Sequence, residues 1–96
     1  MASCSPQYTV TNLQPSGPCG EICDGVSTGP VTVDGKIDQH GNCVFTYEVE
    51  RLPDGKVFSG KESITCPNTK AIEIHCTDDK TCVLMRIELW CEESQS

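Results

Sequence analysis

The chain holds 96 residues, with 14 Asp or Glu against 7 Lys or Arg, for a formal charge of −7 and a pI near 4.5. That acidity argues against a nucleic acid or an anionic membrane surface as partner, since both draw affinity from basic contacts and no run of Lys and Arg concentrates positive charge. No apolar stretch is long enough to span a bilayer, so membrane insertion is not expected.

The length fits one domain, residues 1–96. A chain this short buries a modest fraction of its surface, and its eight Cys supply up to four covalent staples. Disulfides belong to oxidising compartments, so the expectation is a secreted, extracellular protein. The start Met1-Ala2-Ser3-Cys4 has no apolar leader. It reads as a mature secreted form, with residues 1–2 as an added start. There is no Asn-x-Ser/Thr acceptor for N-glycosylation.

In chain order, residues 7–11 alternate and are β-branched, which predicts a short strand. Residues 12–30 carry four Gly, three Pro and two Cys, which is loop chemistry. Within them, 18–25 fits one helical turn, with Ser16 or Gly17 as cap, Pro18 near the start and Gly25 as stop. Asp34-Gly35 between 31–33 and 36–38 predicts a small hairpin, and 39–42 a polar turn. The clearest hairpin joins strands 43–51 and 57–66 through Pro53, Asp54 and Gly55. Folding about that turn brings Cys43 opposite Cys66, or one residue out of register. Strand 71–76 points Ile72, Ile74 and Cys76 inward, and 77–81 turns the chain again.

The longest strand is expected over 82–91. Val83, Met85, Ile87, Leu89 and Cys91 make one unbroken apolar face, a pattern that helical spacing would scatter. Residues 92–96 read as a frayed acidic tail. Five to seven strands in successive hairpins predict an all-β fold, a small antiparallel β-barrel or sandwich stapled by disulfides.

Cys4, Cys19, Cys23, Cys43, Cys66, Cys76, Cys82 and Cys91 are all assigned to disulfides, in a pairing the sequence leaves open. An extended strand holds Cys82 and Cys91 about 30 Å apart, which excludes that pair. Cys76 with Cys82 and Cys43 with Cys66 are candidate pairs, and bridges between facing sheets are an equal alternative. Cys4 needs an anchor. Cys19 and Cys23 with His40 or His75 would be the zinc alternative, but the spacing is not a tight knuckle and no second such pair exists. No metal or cofactor is expected.

No catalytic residues are assigned. His40 and His75 are read as a loop and a strand-surface histidine. A nuclease built on them with Glu48, Glu50, Arg51 or Arg86 is disfavoured by the net charge and the scarcity of aromatics. A calcium loop at Asp34 and Asp38 fails because Lys36 stands where an oxygen ligand is needed. A protease inhibitor is the alternative function, with Arg51, Lys56 or Lys80 at the tip of a disulfide-held loop. The second face of strand 82–91 is the candidate interface: Leu84, Arg86, Glu88 and Trp90 combine aromatic and Arg anchors with paired charges. Pairing through that face predicts a homodimer.

In size, acidity, hairpin order and its eight cysteines, the whole chain resembles the small secreted cysteine-rich effector proteins of plant-associated ascomycete fungi. The resemblance rests on no short motif. It implies a dimeric β-barrel related to the Alternaria major allergen, with no enzymatic activity, that modulates plant defence by binding an unknown host protein.

Overall fold

The computed structural model of the protein describes residues 2–95. Its elements follow in the order β1 (Ala2–Asn12), α1 (Pro18–Ile22), β2 (Ser27–Ile37), β3 (Cys43–Leu52), β4 (Val57–Ile64), β5 (Thr69–His75) and β6 (Val83–Gln95). Two antiparallel three-stranded sheets result. In the terminal sheet β6 lies between β1 and β5; in the middle sheet β3 lies between β2 and β4.

The outcome is a sandwich, which corrects the barrel alternative and the barrel implied by the resemblance. The connection 13–26 carries the chain from one sheet to the other, and so does 65–68. Each connection is too irregular to extend a ladder, so among the described residues β1 does not pair with β2, nor β4 with β5. The molecule is elongated, 51 × 23 × 19 Å, with a radius of gyration of 15.4 Å against about 13 Å for a compact chain of this length.

β6 takes the central place because its alternation is the cleanest. Met85, Ile87, Leu89 and Cys91 are at most 1% exposed. Val83, beside the irregularity between Ile74 and His75, is half-buried. From the middle sheet, β3 presents Cys43, Phe45 and Val49 to the same core, and β4 adds Ile64. Each fully buried side chain of this kind stabilises the fold by about 1.5–3 kcal/mol.

Three departures from the sequence reading have physical causes. Asp34-Gly35 is not a turn: β2 runs through it, with Asp34 opposite Thr46 and Gly35 opposite Phe45. A Cβ on Gly35 would stand 2.8 Å from Pro6 Cβ and 2.9 Å from Phe45 Cε1, so this glycine permits close approach of the sheets. Residues 92–95 are not a frayed tail, because β1 supplies their hydrogen-bond partners, from Ala2 opposite Gln95 to Asn12 opposite Met85. Ala2 lies within this strand as well, whatever its origin; Met1 and Ser96 are outside the described residues. Finally, β4 ends at Ile64, opposite Cys43, leaving Cys66 beyond the hairpin.

All eight cysteines are bridged, as Cys4–Cys66, Cys19–Cys82, Cys23–Cys76 and Cys43–Cys91. Cys43–Cys91 crosses between the sheets, one of the alternatives left open above. Cys76 and Cys82 face each other, with the Cys76 N–H donating to the Cys82 carbonyl at 2.9 Å, but each bridges to the α1 region instead. α1 matches the expected helical turn, with Gly17 at φ 61 as its cap residue and Pro18 in its first turn. Cys23, Cys76, Cys82 and Leu84 form a second, smaller buried cluster beside it.

Candidate functional site

Two surface regions bear on function: the outer face of the terminal sheet and a charged cleft beside β4 and β5. On the outer face, Trp90 stands between Gln7 and Thr69, Glu88 between Thr9 and Ala71, and Arg86 between Thr11 and Glu73. Arg86 Nη2 lies 3.0 Å from Glu73 Oε2. Trp90 is half-buried; Arg86 and Glu88 are exposed. These three candidate interface residues therefore share one face. Leu84 leaves it: it is 8% exposed and packs with Cys23, Cys76 and Cys82. The Leu13 N–H donates to the Leu84 carbonyl at 3.0 Å, pinning the loop against this strand.

The charged cleft is built on Arg51. Inward alternation along β3 runs Cys43, Phe45, Tyr47, Val49, Arg51, so the last position brings a guanidinium to the end of the core, where it is 5% exposed. A buried cation requires partners, and Arg51 has them. Its Nε donates to Asp54 Oδ1 at 3.1 Å, Nη1 to the His75 carbonyl at 3.1 Å and Nη2 to Asp78 Oδ1 at 3.0 Å. Lys56 Nζ donates to the same Asp78 oxygen at 2.9 Å. The Phe58 ring lies beneath both cations, 5.3 Å from Arg51 Cζ and 5.4 Å from Lys56 Nζ, within cation–π range.

These contacts set the local titration. The hydrogen bond from Arg51 holds the Asp54 carboxyl below its ordinary value. For Asp78 the hydrogen bond from Lys56 acts first and that from Arg51 second, in the same direction. Arg51 is pushed upward by Asp54 and stays charged. Phe58 and Asp78 were not singled out in the sequence, and Asp54 was read there only as a turn residue. The alternation that places Arg51 inward was the available signal, because a buried Arg must gather acids around it.

The cleft has a volume of about 230 Å³ and is lined by Lys56, Phe58, Glu73, His75 and Lys80, among others. The His75 side chain, 18% exposed, has Nε2 3.8 Å from Glu73 Oε1. His40 is exposed in the β2–β3 turn, where Asp38 Oδ1 accepts the N–H groups of His40 and Asn42 at 2.8 and 2.9 Å. That turn adjoins Cys43, whereas the His75 carbonyl is bonded to Arg51. The nine-residue run from Cys43 to Arg51 spans roughly 26 Å. The two histidines thus lie at opposite ends of β3 and form no pair.

The sulfurs of Cys4, Cys66 and Cys91 lie within 4.8 Å of one another, but they belong to the adjacent Cys4–Cys66 and Cys43–Cys91 bridges. The zinc alternative loses its ligands too, since Cys19 and Cys23 are bridged.

The inhibitor candidates divide. Arg51 is interior, and Lys56 is paired with Asp78. Lys80 is exposed in the loop between Cys76 and Cys82, both bridged to the α1 region. Its N–H donates to the Thr77 carbonyl at 3.2 Å, and its φ is 63.

No helix is long and apolar enough to cross a membrane among the described residues. Comparison of the chain with known protein families, curated proteins and solved structures finds no match in any of the three.

Proposed function

We propose that this small disulfide-rich protein is secreted and acts by binding, as a fungal effector that modulates plant defence. The observation that carries the reading is the set of four bridges, spanning sequence separations of 48 to 63 around a two-sheet core. Such stapling suits a chain that must persist outside the cell without chaperones. The binding face is the outer surface of the terminal sheet around Trp90, Arg86 and Glu88, where a Thr-rich sheet face carries an aromatic anchor and an ion pair. The same face serves a homodimer.

Capture from plant apoplastic fluid, with the native protein and Trp90→Ala side by side, tests the reading. A host protein retained by the native chain and lost with Trp90→Ala is expected. Equal capture by both, together with unchanged light scattering, excludes this face.

A protease inhibitor is the second reading, favoured by the anchoring of residues 77–81 between two bridges. The positive φ of Lys80 weighs against it, because a protease cleft takes its ligand as an extended strand. Inhibition of a trypsin-like protease that is abolished in Lys80→Ala would promote this reading over the first.

A further inference from the structure

We infer that the free edge of β1 is a strand-addition site for one extended, uncharged segment of another polypeptide. Each sheet leaves two edges, and edges invite pairing unless they are blunted. Three of the four are blunted here. β2 has an irregularity between Thr28 and Val31, together with Pro30, Asp34 and Lys36. β4 carries Lys61 and Glu62, and β5 carries Lys70 and Glu73. β1 differs: its register with β6 is unbroken from Ala2 to Asn12, and the first charged residue of the chain is Glu21. Pro6 is its single guard, which leaves residues 7–12 open over roughly 20 Å.

The side chains along this edge point the same way. Tyr8 and Val10 stand opposite Leu89 and Ile87 and so share the inner face, yet they are 48% and 36% exposed while their partners are at 0%. On the facing β2, Val31 and Val33 are half-buried. The sandwich is therefore uncovered along its β1–β2 margin. A cleft of about 330 Å³, lined in part by Asn12, Leu13 and Val26, continues the margin at the end of β1.

An incoming strand would complete the ladder with its backbone and set alternate side chains over this inner face. The pattern that fits is apolar inward and small polar outward, beside Thr9 and Thr11, with no charge. A second copy of the chain fits less well. It would bring its own β2 edge, with Pro30 and Asp34, and a charge of −7 against the same features. A lone strand brings neither. This inference does not depend on the Trp90 face.

The probe is a dye-labelled hexapeptide of alternating Thr and Val, capped at both ends, read by fluorescence anisotropy and by amide hydrogen exchange. Slower exchange across residues 7–12 on adding the peptide is expected. Thr9→Lys with Thr11→Lys, both at exposed outer-face positions, should weaken binding about tenfold or more, while Thr32→Lys on β2 leaves it unchanged. A probe with Pro at its third position tests the same point on the native protein, whatever the variants do to folding, and should not bind. Equal binding of both probes, or no slowing at residues 7–12, overturns the inference. So does a doubled mass by light scattering with residues 7–12 already protected without peptide, which would assign the edge to a second copy.

Discussion

Among the described residues, nine that are buried fill the space between the sheets, two of them Cys; four fill the smaller cluster beside α1, three of them Cys. The first region is a hydrophobic core that two bridges reinforce. The second has Leu84 as its one buried non-Cys side chain among the described residues, with Val26 partly buried against it, and is held by the Cys19–Cys82 and Cys23–Cys76 bridges. The difference shows where each kind of cohesion is used. Regular strands bury alternate residues against each other, whereas the glycine- and proline-rich connection 13–26 has no repeating apolar face and is tied down covalently.

The comparison is broken most forcefully in the larger region. Phe45→Ala should cost about 3–5 kcal/mol in denaturant unfolding, because the ring is fully buried between the sheets. Its loss should accelerate amide exchange throughout both sheets. Removing Cys19 and Cys82 together should cost about 2–4 kcal/mol through the unfolded chain. Exchange should then rise chiefly across residues 13–26, leaving β3 and β6 protected; uniform acceleration would mean that the two regions form one cooperative unit. Gly35→Ala, which sets a methyl group against Pro6 and Phe45, should cost about 1–3 kcal/mol. A neutral result there would show that the sheets have room to part.

The smallest expected effect is on acidification. Asp54 and Asp78 have carboxyls depressed by Arg51 and Lys56 in the folded state. A depressed carboxyl contributes stability that is present above its unfolded value, about 3.9, and is lost as pH falls through the folded value. The melting temperature should therefore decline below about pH 4, and Arg51→Gln should flatten that decline. An identical acid limb in the variant would place the sensitivity elsewhere.

The parts of this fold legible in the sequence are those with local periodicity. Strict alternation in β6 and in β3 announced both central strands, and Pro18 with Gly25 marked the helical turn. Asp34-Gly35 misled because a dipeptide suited to a turn also serves where a facing sheet comes too close for a Cβ. The pairing of the cysteines was not legible, since it follows from how the sheets stack. The burial of Leu84 has the same origin: only the docked 13–26 connection removes it from the face shared by Arg86, Glu88 and Trp90. At the cleft, the position of Arg51 was implicit in the alternation, but Asp78 reaches it from 27 residues away.

The bridge pattern has a further consequence. Each of the first four cysteines, at 4, 19, 23 and 43, is joined to one of the last four, at 66, 76, 82 and 91. A single cut anywhere between Cys43 and Cys66, including the exposed turn at Pro53 and Asp54, therefore divides the backbone into two chains that all four sulfur links still hold together. A protease that opens that hairpin therefore releases nothing. The same wiring means that no native link can close until Cys66 has been made, so any bridge formed earlier, among Cys4, Cys19, Cys23 and Cys43, is non-native and must be exchanged before the fold is complete.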